Sequence, residues 1–303
     1  MIKLKTIFSF FLMLASIIPI MGQTNRALLV AIDKYPEGSG WAEIHATNDI
    51  DLIKPMLSAN GFNEGNISIL VNGQATRTGI VRELEEMEKN TRSGDYVYIH
   101  FSCHGQQMAD DNSDEPDGLD EAIVPFDAHR RYEKGVYEGE NHLRDDYLEG
   151  LISKIRIKAG PKGSVVLVMD ACHSGTADRD TDDDVYIRGT TYIFAPPGFI
   201  PVKNDADIFP EIKTGKKLSP LIVIAACLPD QLNYEYRVPH AGNYYGSLTY
   251  ALCELMDENK ELSYGLLRRE LEARISKQNI RRRRVQTPLV ETSDETKNFS
   301  IGR

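Results

Sequence analysis

The sequence predicts an α/β fold in which a mainly parallel sheet of about six strands carries helices on both faces. Three observations lead there. Short apolar runs recur along the chain, they are continuous rather than alternating, and amphipathic stretches of helical length separate them. Continuous apolar runs are what strands buried on both faces require. Strand and helix in alternation build a parallel sheet, because each crossover helix must pack back onto it.

The elements follow in order. Residues 27–32 (ALLVAI) form the first strand, and a helix over 46–60 ends at Asn60-Gly61. Residues 67–71 (ISILV) form the second strand, and a helix over 77–91 stops before Ser93-Gly94. The third strand is 96–101 (YVYIHF), the fourth is 165–169 (VVLVM), and a helix over 145–158 lies between them. Residues 221–226 (LIVIAA) form the fifth strand, followed by helices over 247–258 and 261–279 and a last apolar stretch over 285–290. Residues 110–121 (DDNSDEPDGLDE) read as a solvated acidic loop, and 175–219 as a long, mostly polar connection between two buried strands.

The chain of 303 residues has 35 Lys and Arg against 45 Asp and Glu, and four cysteines. At 41% hydrophobic it is neither disordered nor fibrous, and four cysteines are too few for a disulfide scaffold. The formal charge of −10 excludes a phosphate-tracking nucleic-acid binder, so the four arginines at 281–284 read as a surface patch or a cleavage site. Residues 1–22 read as a secretory signal peptide: Lys3 and Lys5 precede an apolar run over 7–20, which is shorter than the roughly 20 residues a spanning helix needs. Removing them takes the formal charge to −12. The expected product is exported, periplasmic or secreted, with no membrane insertion after cleavage and no organic cofactor.

The third strand runs into Ser102-Cys103-His104-Gly105 and the fourth into Asp170-Ala171-Cys172-His173-Ser174-Gly175. In a parallel α/β sheet the ligand site lies outside the carboxyl ends of the strands. A thiol at one such tip and an imidazole at the next form a possible nucleophile and base.

The segments 100–105 (HFSCHG) and 168–175 (VMDACHSG) resemble the two catalytic signatures of the metacaspase branch of caspase-like cysteine peptidases. Further matches come in order. They are Ala46-Thr47-Asn48-Asp49, residues 117–125 (DGLDEAIVP), Ala225-Ala226-Cys227 with Gln231 and Glu235, and residues 245–249 (YGSLT). The resemblance covers about residues 25–290 and implies a three-layer α/β/α sandwich over 23–303. It would have a large-subunit-like part (23–175), a loop (176–219) and a small-subunit-like part (220–303). It also implies a cysteine endopeptidase, in monomeric form, acting on polypeptides. Cys172 would be the nucleophile and His104 the acid/base, with the N–H groups of Gly105 and Cys172 as oxyanion donors. Asp49, Asp170 and Ser102 would line an acidic pocket for Arg or Lys before the cut.

Side chains alternate along a strand, so Cys103 is expected to point away from His104 and to pack, and His173 reads as a local packing residue. The spacings suit no zinc site. Calcium fits better, because hard oxygen ligands abound. The acidic loop is not an EF-hand, since Ser113 stands where the first Asp belongs. The resemblance implies calcium at Asp145 and Asp146, at one aspartate of the acidic loop such as Asp117, and at Asp178 or Asp180. It also implies self-cleavage within 175–219, with Lys216-Lys217 ahead of Arg179, Arg188, Lys203 and Lys213. A clostripain- or gingipain-like peptidase and a non-catalytic module of the same fold are the alternatives.

Overall fold

The structure is a computed structural model that describes residues 23–112, 115–172, 185–202, 212–279 and 285–302. The signal-peptide segment, His173, Asp178, Arg179, Asp180, Lys203 and the four arginines lie outside the described residues.

Strand β1 (Asn25–Ala31), helix α1 (Asp49–Ala59), β2 (Ile67–Val71), α2 (Arg77–Asn90) and β3 (Tyr96–Ser102) follow the apolar and amphipathic pattern closely. Gly61 and Gly94 take φ of +82° and +96°, the left-handed turns that end α1 and follow α2. Next come β4 (Gly105–Ala109), β5 (Leu119–Ile123), β6 (Leu143–Arg144), α3 (Asp145–Ala159), β7 (Ser164–Asp170) and β8 (Leu221–Ala225). The chain closes with β9 (Glu235–Arg237), β10 (Tyr244–Gly246), α4 (Ser247–Glu258), β11 (Leu262–Ser263), α5 (Tyr264–Asn279), β12 (Leu289–Thr292) and β13 (Asn298–Phe299).

Six strands form the main sheet in the order β12-β8-β7-β3-β1-β2, all parallel except β12. Apolar side chains of α1, α4 and α5 cover one face together with Leu29, Tyr98 and Val166. Those of α2 and α3 cover the other with Leu28, Ile99 and Phe101. The strand residues alternate between the two cores, which is the pleat expressed as burial. Cys103 lies in the second core, as its parity requires.

One expectation needs correcting. Residues 110–121 are not loop throughout, because Leu119–Ile123 pairs with β4 and β6 in a small antiparallel sheet. Asp120 is buried in that strand and ion-paired with Arg144, so its acidic letter concealed an inward position.

Candidate active site

Sheet register brings the chemistry together. Ser102 ending β3 lies opposite Ala31 of β1 on one side and Asp170 of β7 on the other. His104 and Cys172 therefore each sit two residues beyond an aligned pair of neighbouring strand ends, and both are buried.

His104 is fixed by a group the sequence could not announce. Its Nε2 donates to the Ala42 carbonyl at 2.9 Å, and its ring stacks on Trp41 with centroids 4.8 Å apart. A carbonyl only accepts, so Nε2 carries the proton and Nδ1 holds a lone pair. That Nδ1 is buried and has no hydrogen-bond partner among the described residues. Burial pushes the imidazole down to about 4, against the upward pull of the Ala42 contact, so the ring is neutral at physiological pH. The site thus contains a buried, unsatisfied base.

Cys172 sits at the end of the neighbouring strand. Its thiol donates to the Gln231 carbonyl at 2.8 Å, and Cys227 donates to the same oxygen at 3.4 Å. The thiol of Cys227 is pushed well up by its contact with Cys172 and by burial, which leaves it protonated and inert.

Beneath Cys172 lies a buried acidic pocket. Carboxylate oxygens of Asp49 and Asp170 lie within 4.8 Å of one another. Asp49 accepts from Ser102 Oγ (2.7 Å) and the Gly246 N–H (2.9 Å). Asp170 accepts from Asn233 Nδ2 (2.7 Å) and from the N–H and hydroxyl of Thr249 (2.8 and 2.6 Å). Glu235 forms a third wall and holds His45 at 2.7 Å. Gly246 leaves the space between them open: a Cβ there would collide with Asp170 Oδ2 and reach 2.5 Å from the occupant.

The occupant is the chain's own Arg188, whose side chain is fully buried. Its Nη1 stands 2.6 Å from Asp49 and 3.7 Å from Asp170, and its Nη2 and Nε stand 3.0 and 3.1 Å from Glu235. Burial would lower the guanidinium, but the three carboxylates outweigh it and raise it. Burial would raise Glu235, but Arg188 and then His45 hold it below its ordinary value. Burial pushes Asp49 up, with Arg188 pulling the other way and Asp170 adding to the rise.

Arg188 belongs to a segment lying along the strand edge. The Arg188 N–H donates to the Asn233 carbonyl (3.0 Å) and the Glu235 N–H to the Tyr186 carbonyl (2.9 Å), with Ile187 and Tyr234 paired antiparallel. Downstream, the Phe194 N–H donates to Gln107 and the Ala109 N–H to Phe194, while Gln106 Nε2 donates to the Tyr192 carbonyl.

Of the residues expected in the site, the structure brings together Cys172, His104, Asp49, Asp170 and Ser102. The Cys172 N–H donates at 2.7 Å to the Arg188 carbonyl. Gly105 opens β4 opposite Ile123, and no described hydrogen bond carries its N–H to that carbonyl. Ala42, Trp41 and Asn233 were missed. Glu235, Gly246 and Thr249 were noted only as parts of a pattern. A basic residue inside the apolar context Val185-Tyr186-Ile187-Arg188 was the one available signal for Arg188. Lys216 and Lys217 are exposed.

The acids expected to hold calcium lie at the α3 side. Asp146 accepts from Asn112 Nδ2 at 2.6 Å, and Asp117 caps the turn before β5 by accepting the Leu119 N–H. Burial and then Glu121 push Asp145 up to about 8, and burial with Asp117 and Glu115 pushes Glu121 up to about 7. Asp120 keeps one buried oxygen without a partner. Among the described residues the carboxylates converging within 4.8 Å here are those of Asp110, Asp111 and Asp120, two of which pair with Arg144.

The family model described as "Caspase domain" matches residues 24–300. Metacaspase-7 of Arabidopsis thaliana is 32% identical over 175 residues, covering 55% of this chain and 39% of its own length. Metacaspase III c of Phaeodactylum tricornutum is 30% identical over 159 residues, covering 50% and 43%. Metacaspase-2 of Trypanosoma brucei brucei is 25% identical over 265 residues, covering 82% and 68%. The chain thus spans less than half the length of the plant and diatom relatives. In fold it is similar to protein GSU0716 from Geobacter sulfurreducens, with a TM-score of 0.59, 22% identity, and coverage of 92% of this chain and 98% of that one. With the match running through both strand-tip signatures and nearly end to end, the chain belongs to the caspase-domain family of cysteine peptidases and is metacaspase-like within it.

Proposed function

We propose that this chain is a cysteine endopeptidase that hydrolyses polypeptides after Arg, and less readily after Lys, through Cys172 and His104. One observation carries the specificity: a guanidinium fills the pocket below Cys172 and meets three carboxylates. Two contacts are made by parts of the guanidinium that a lysine lacks, since Glu235 takes Nε and Nη2 while Asp49 takes Nη1. An ammonium reaching Asp49 and Asp170 leaves Glu235 short of a donor, so Arg is favoured. An aspartate in the same place is repelled by all three walls.

In the reaction His104 Nδ1 takes the Cys172 thiol proton as the sulfur attacks the carbonyl carbon of the basic residue. The Cys172 N–H stabilises the oxyanion, a donor whose loss costs about 10²–10³ in rate. His104 then protonates the leaving amine, and water hydrolyses the thioester. The neutral ring and the Ala42 anchor supply the base in the required tautomer, and general base catalysis of this kind contributes roughly 10²–10⁴.

Calcium would be held by Asp145 and Asp146 with Asp117 of the acidic loop and Glu121 of β5. Acids pushed to about 7 and 8 by burial and mutual repulsion are groups that a divalent cation relieves, and an all-oxygen donor set suits it. The cation would neutralise that cluster. Export, directed by residues 1–22, and a monomeric state complete the proposal. No helix among the described residues is long and apolar enough to cross a membrane.

The test pairs fluorogenic peptides with Arg, Lys or Asp before the scissile bond, hydrolysed by the full chain and by Cys172→Ala, with calcium or chelator. Turnover after Arg that vanishes in Cys172→Ala is expected. Turnover after Asp would sink the pocket assignment. No turnover on any peptide would favour the non-catalytic module.

A further inference from the structure

The groove beside the acidic pocket carries a second specificity element, whose meaning rests on the peptidase reading above. Residues 186–188 lie in that groove in the register of a bound peptide. The Arg188 N–H donates to the Asn233 carbonyl, the Glu235 N–H donates to the Tyr186 carbonyl, and Ile187 pairs antiparallel with Tyr234. This is strand addition of the kind peptides use on a sheet edge. Side chains alternate along such a strand, so Tyr186 and Arg188 project to one side and Ile187 to the other. Ile187 packs against the cluster of Cys227 and Leu232, and Tyr186 against that of Ile44 and Ala46.

Two residues before the basic one, the groove is aromatic. The His45 ring makes a T-shaped contact with Tyr186, centroids 4.3 Å apart, and Tyr244 meets Tyr186 at 4.8 Å and 71°. His45 and Tyr244 stack on each other at 4.8 Å, so the two rings form one wall of a corner whose other wall is Ile44 and Ala46. Both rings are held by contacts that do not involve Tyr186. Glu235 accepts from the His45 N–H at 2.8 Å and holds its Nδ1 at 2.7 Å. Tyr244 lies in β10, paired with Arg237 of β9, and its carbonyl accepts from Asn48 Nδ2 at 2.9 Å. Glu235 serves both places, since its Oε1 takes the guanidinium while its Oε2 takes His45.

We infer that this corner is a subsite selecting an aromatic residue two positions before the Arg of a substrate. A substrate pairs with residues 233–235 in place of residues 186–188, so its side chain at that position enters the corner that Tyr186 fills. A flat ring there gains the tilted contacts with His45 and Tyr244 that aromatic pairs prefer. An aliphatic side chain buries similar area without those ring contacts, and alanine leaves the corner unfilled. His45 and Tyr244 determine specificity at a distance from the reacting atoms.

The experiment measures kcat/KM of the full chain on peptides X-Ile-Arg with a fluorogenic amide after Arg, X being Tyr, Phe, Leu or Ala. Wild type, Tyr244→Ala and Tyr244→Phe are compared. Tyr and Phe should exceed Ala by about tenfold or more, the worth of two ring contacts, and should exceed Leu as well. Tyr244→Ala should cut the Tyr-to-Ala ratio several-fold, and Tyr244→Phe, which keeps the ring, should preserve it. A wild-type chain that cuts all four alike, or Leu as well as Tyr, overturns the subsite and leaves the peptidase reading standing. A ratio untouched by Tyr244→Ala overturns its location. No turnover on any peptide favours the non-catalytic module instead. The subsite is then decided by calorimetric binding of the amides of Tyr-Ile-Arg and Ala-Ile-Arg to Tyr186→Ala/Arg188→Ala, which removes both resident side chains. Tighter binding of the first sustains the subsite, and equal binding overturns it.

Discussion

Arg188 is the most informative residue to remove. In a Cys172→Ala background, which removes the proposed nucleophile, Arg188→Ala leaves Asp49, Asp170 and Glu235 facing one another in a closed pocket. The guanidinium is fully buried and meets carboxylates at 2.6, 3.0 and 3.7 Å. Removing one partner of a buried ion pair costs about 3–5 kcal/mol, because the remaining charge is left uncompensated. Water entering the vacated pocket recovers part of this, so about 3 kcal/mol is expected. In a domain of this size class that lowers Tm by roughly 6–12 °C. Burial and the neighbouring Asp170 raise Asp49, and losing Arg188 removes the opposing pull, so Asp49 binds its proton more tightly folded than unfolded and the deficit should shrink as pH falls from 7 towards 5. Agmatine supplies a free guanidinium, and at 100 times its Kd it should restore about 2.7 kcal/mol. It should leave the Arg188 parent unmoved, and pentylamine should restore less. The assay is a thermal melt across a ligand titration. A variant as stable as its parent, or one indifferent to agmatine, would refute the claim that the pocket requires a guanidinium.

The remaining predictions concern single contacts. Gly246→Ala should abolish cleavage after Arg without changing the backbone, since Gly246 has an ordinary φ of −58° and only space is lost; circular dichroism beside the peptide assay separates the two. Glu235→Gln should lower kcat/KM for Arg by about 10–100-fold, the cost of weakening charge-assisted hydrogen bonds, and change Lys peptides much less. Cleavage of the peptide with Arg before the scissile bond should fail below about pH 4, where His104 becomes protonated and cannot accept the thiol proton, as a pH series in the peptide assay would reveal. Glu121 at about 7 and Asp145 at about 8 bind protons in the folded state that the unfolded chain has released, so without calcium stability should fall as pH rises from 6.5 to 8. Calcium should flatten that slope and release protons on binding, measurable by calorimetry in buffers of different ionisation enthalpy. A slope that calcium leaves unchanged would count against the metal proposal.

Much of this protein was legible in its letters because the information is local. A strand buried on both faces must be apolar without interruption, so residues 27–32, 96–101 and 165–169 announced the centre of the sheet. Parity alone turned Cys103 away from His104. The strand tips carried Cys172 and His104 because a parallel sheet opens its crevice there. Asp49, Asp170 and Ser102 followed from the resemblance of short motifs, each within one segment.

What the letters could not carry depends on segments meeting across long stretches of chain. The base is oriented by the carbonyl of Ala42, a backbone atom with no side-chain signature. Gly246 matters only because Asp170 and Arg188 lie beside it, 76 and 58 residues earlier. The short sheet of β4, β5 and β6 was hidden because Asp120, buried beside Arg144, reads as a solvated acid when its partner is unseen. Above all, Arg188 was one basic residue among several in a polar connection, and nothing in its neighbours along the chain points to Asp49, Asp170 or Glu235. A cation buried among Asp49, Asp170 and Glu235 is stable only where three distant segments place their carboxylates around it. Local preference written along the chain determined the layers and put Cys172 and His104 at neighbouring strand ends. Which basic residue occupies the pocket was decided by tertiary structure, because that choice is a sum of charges from segments that only the fold brings within reach.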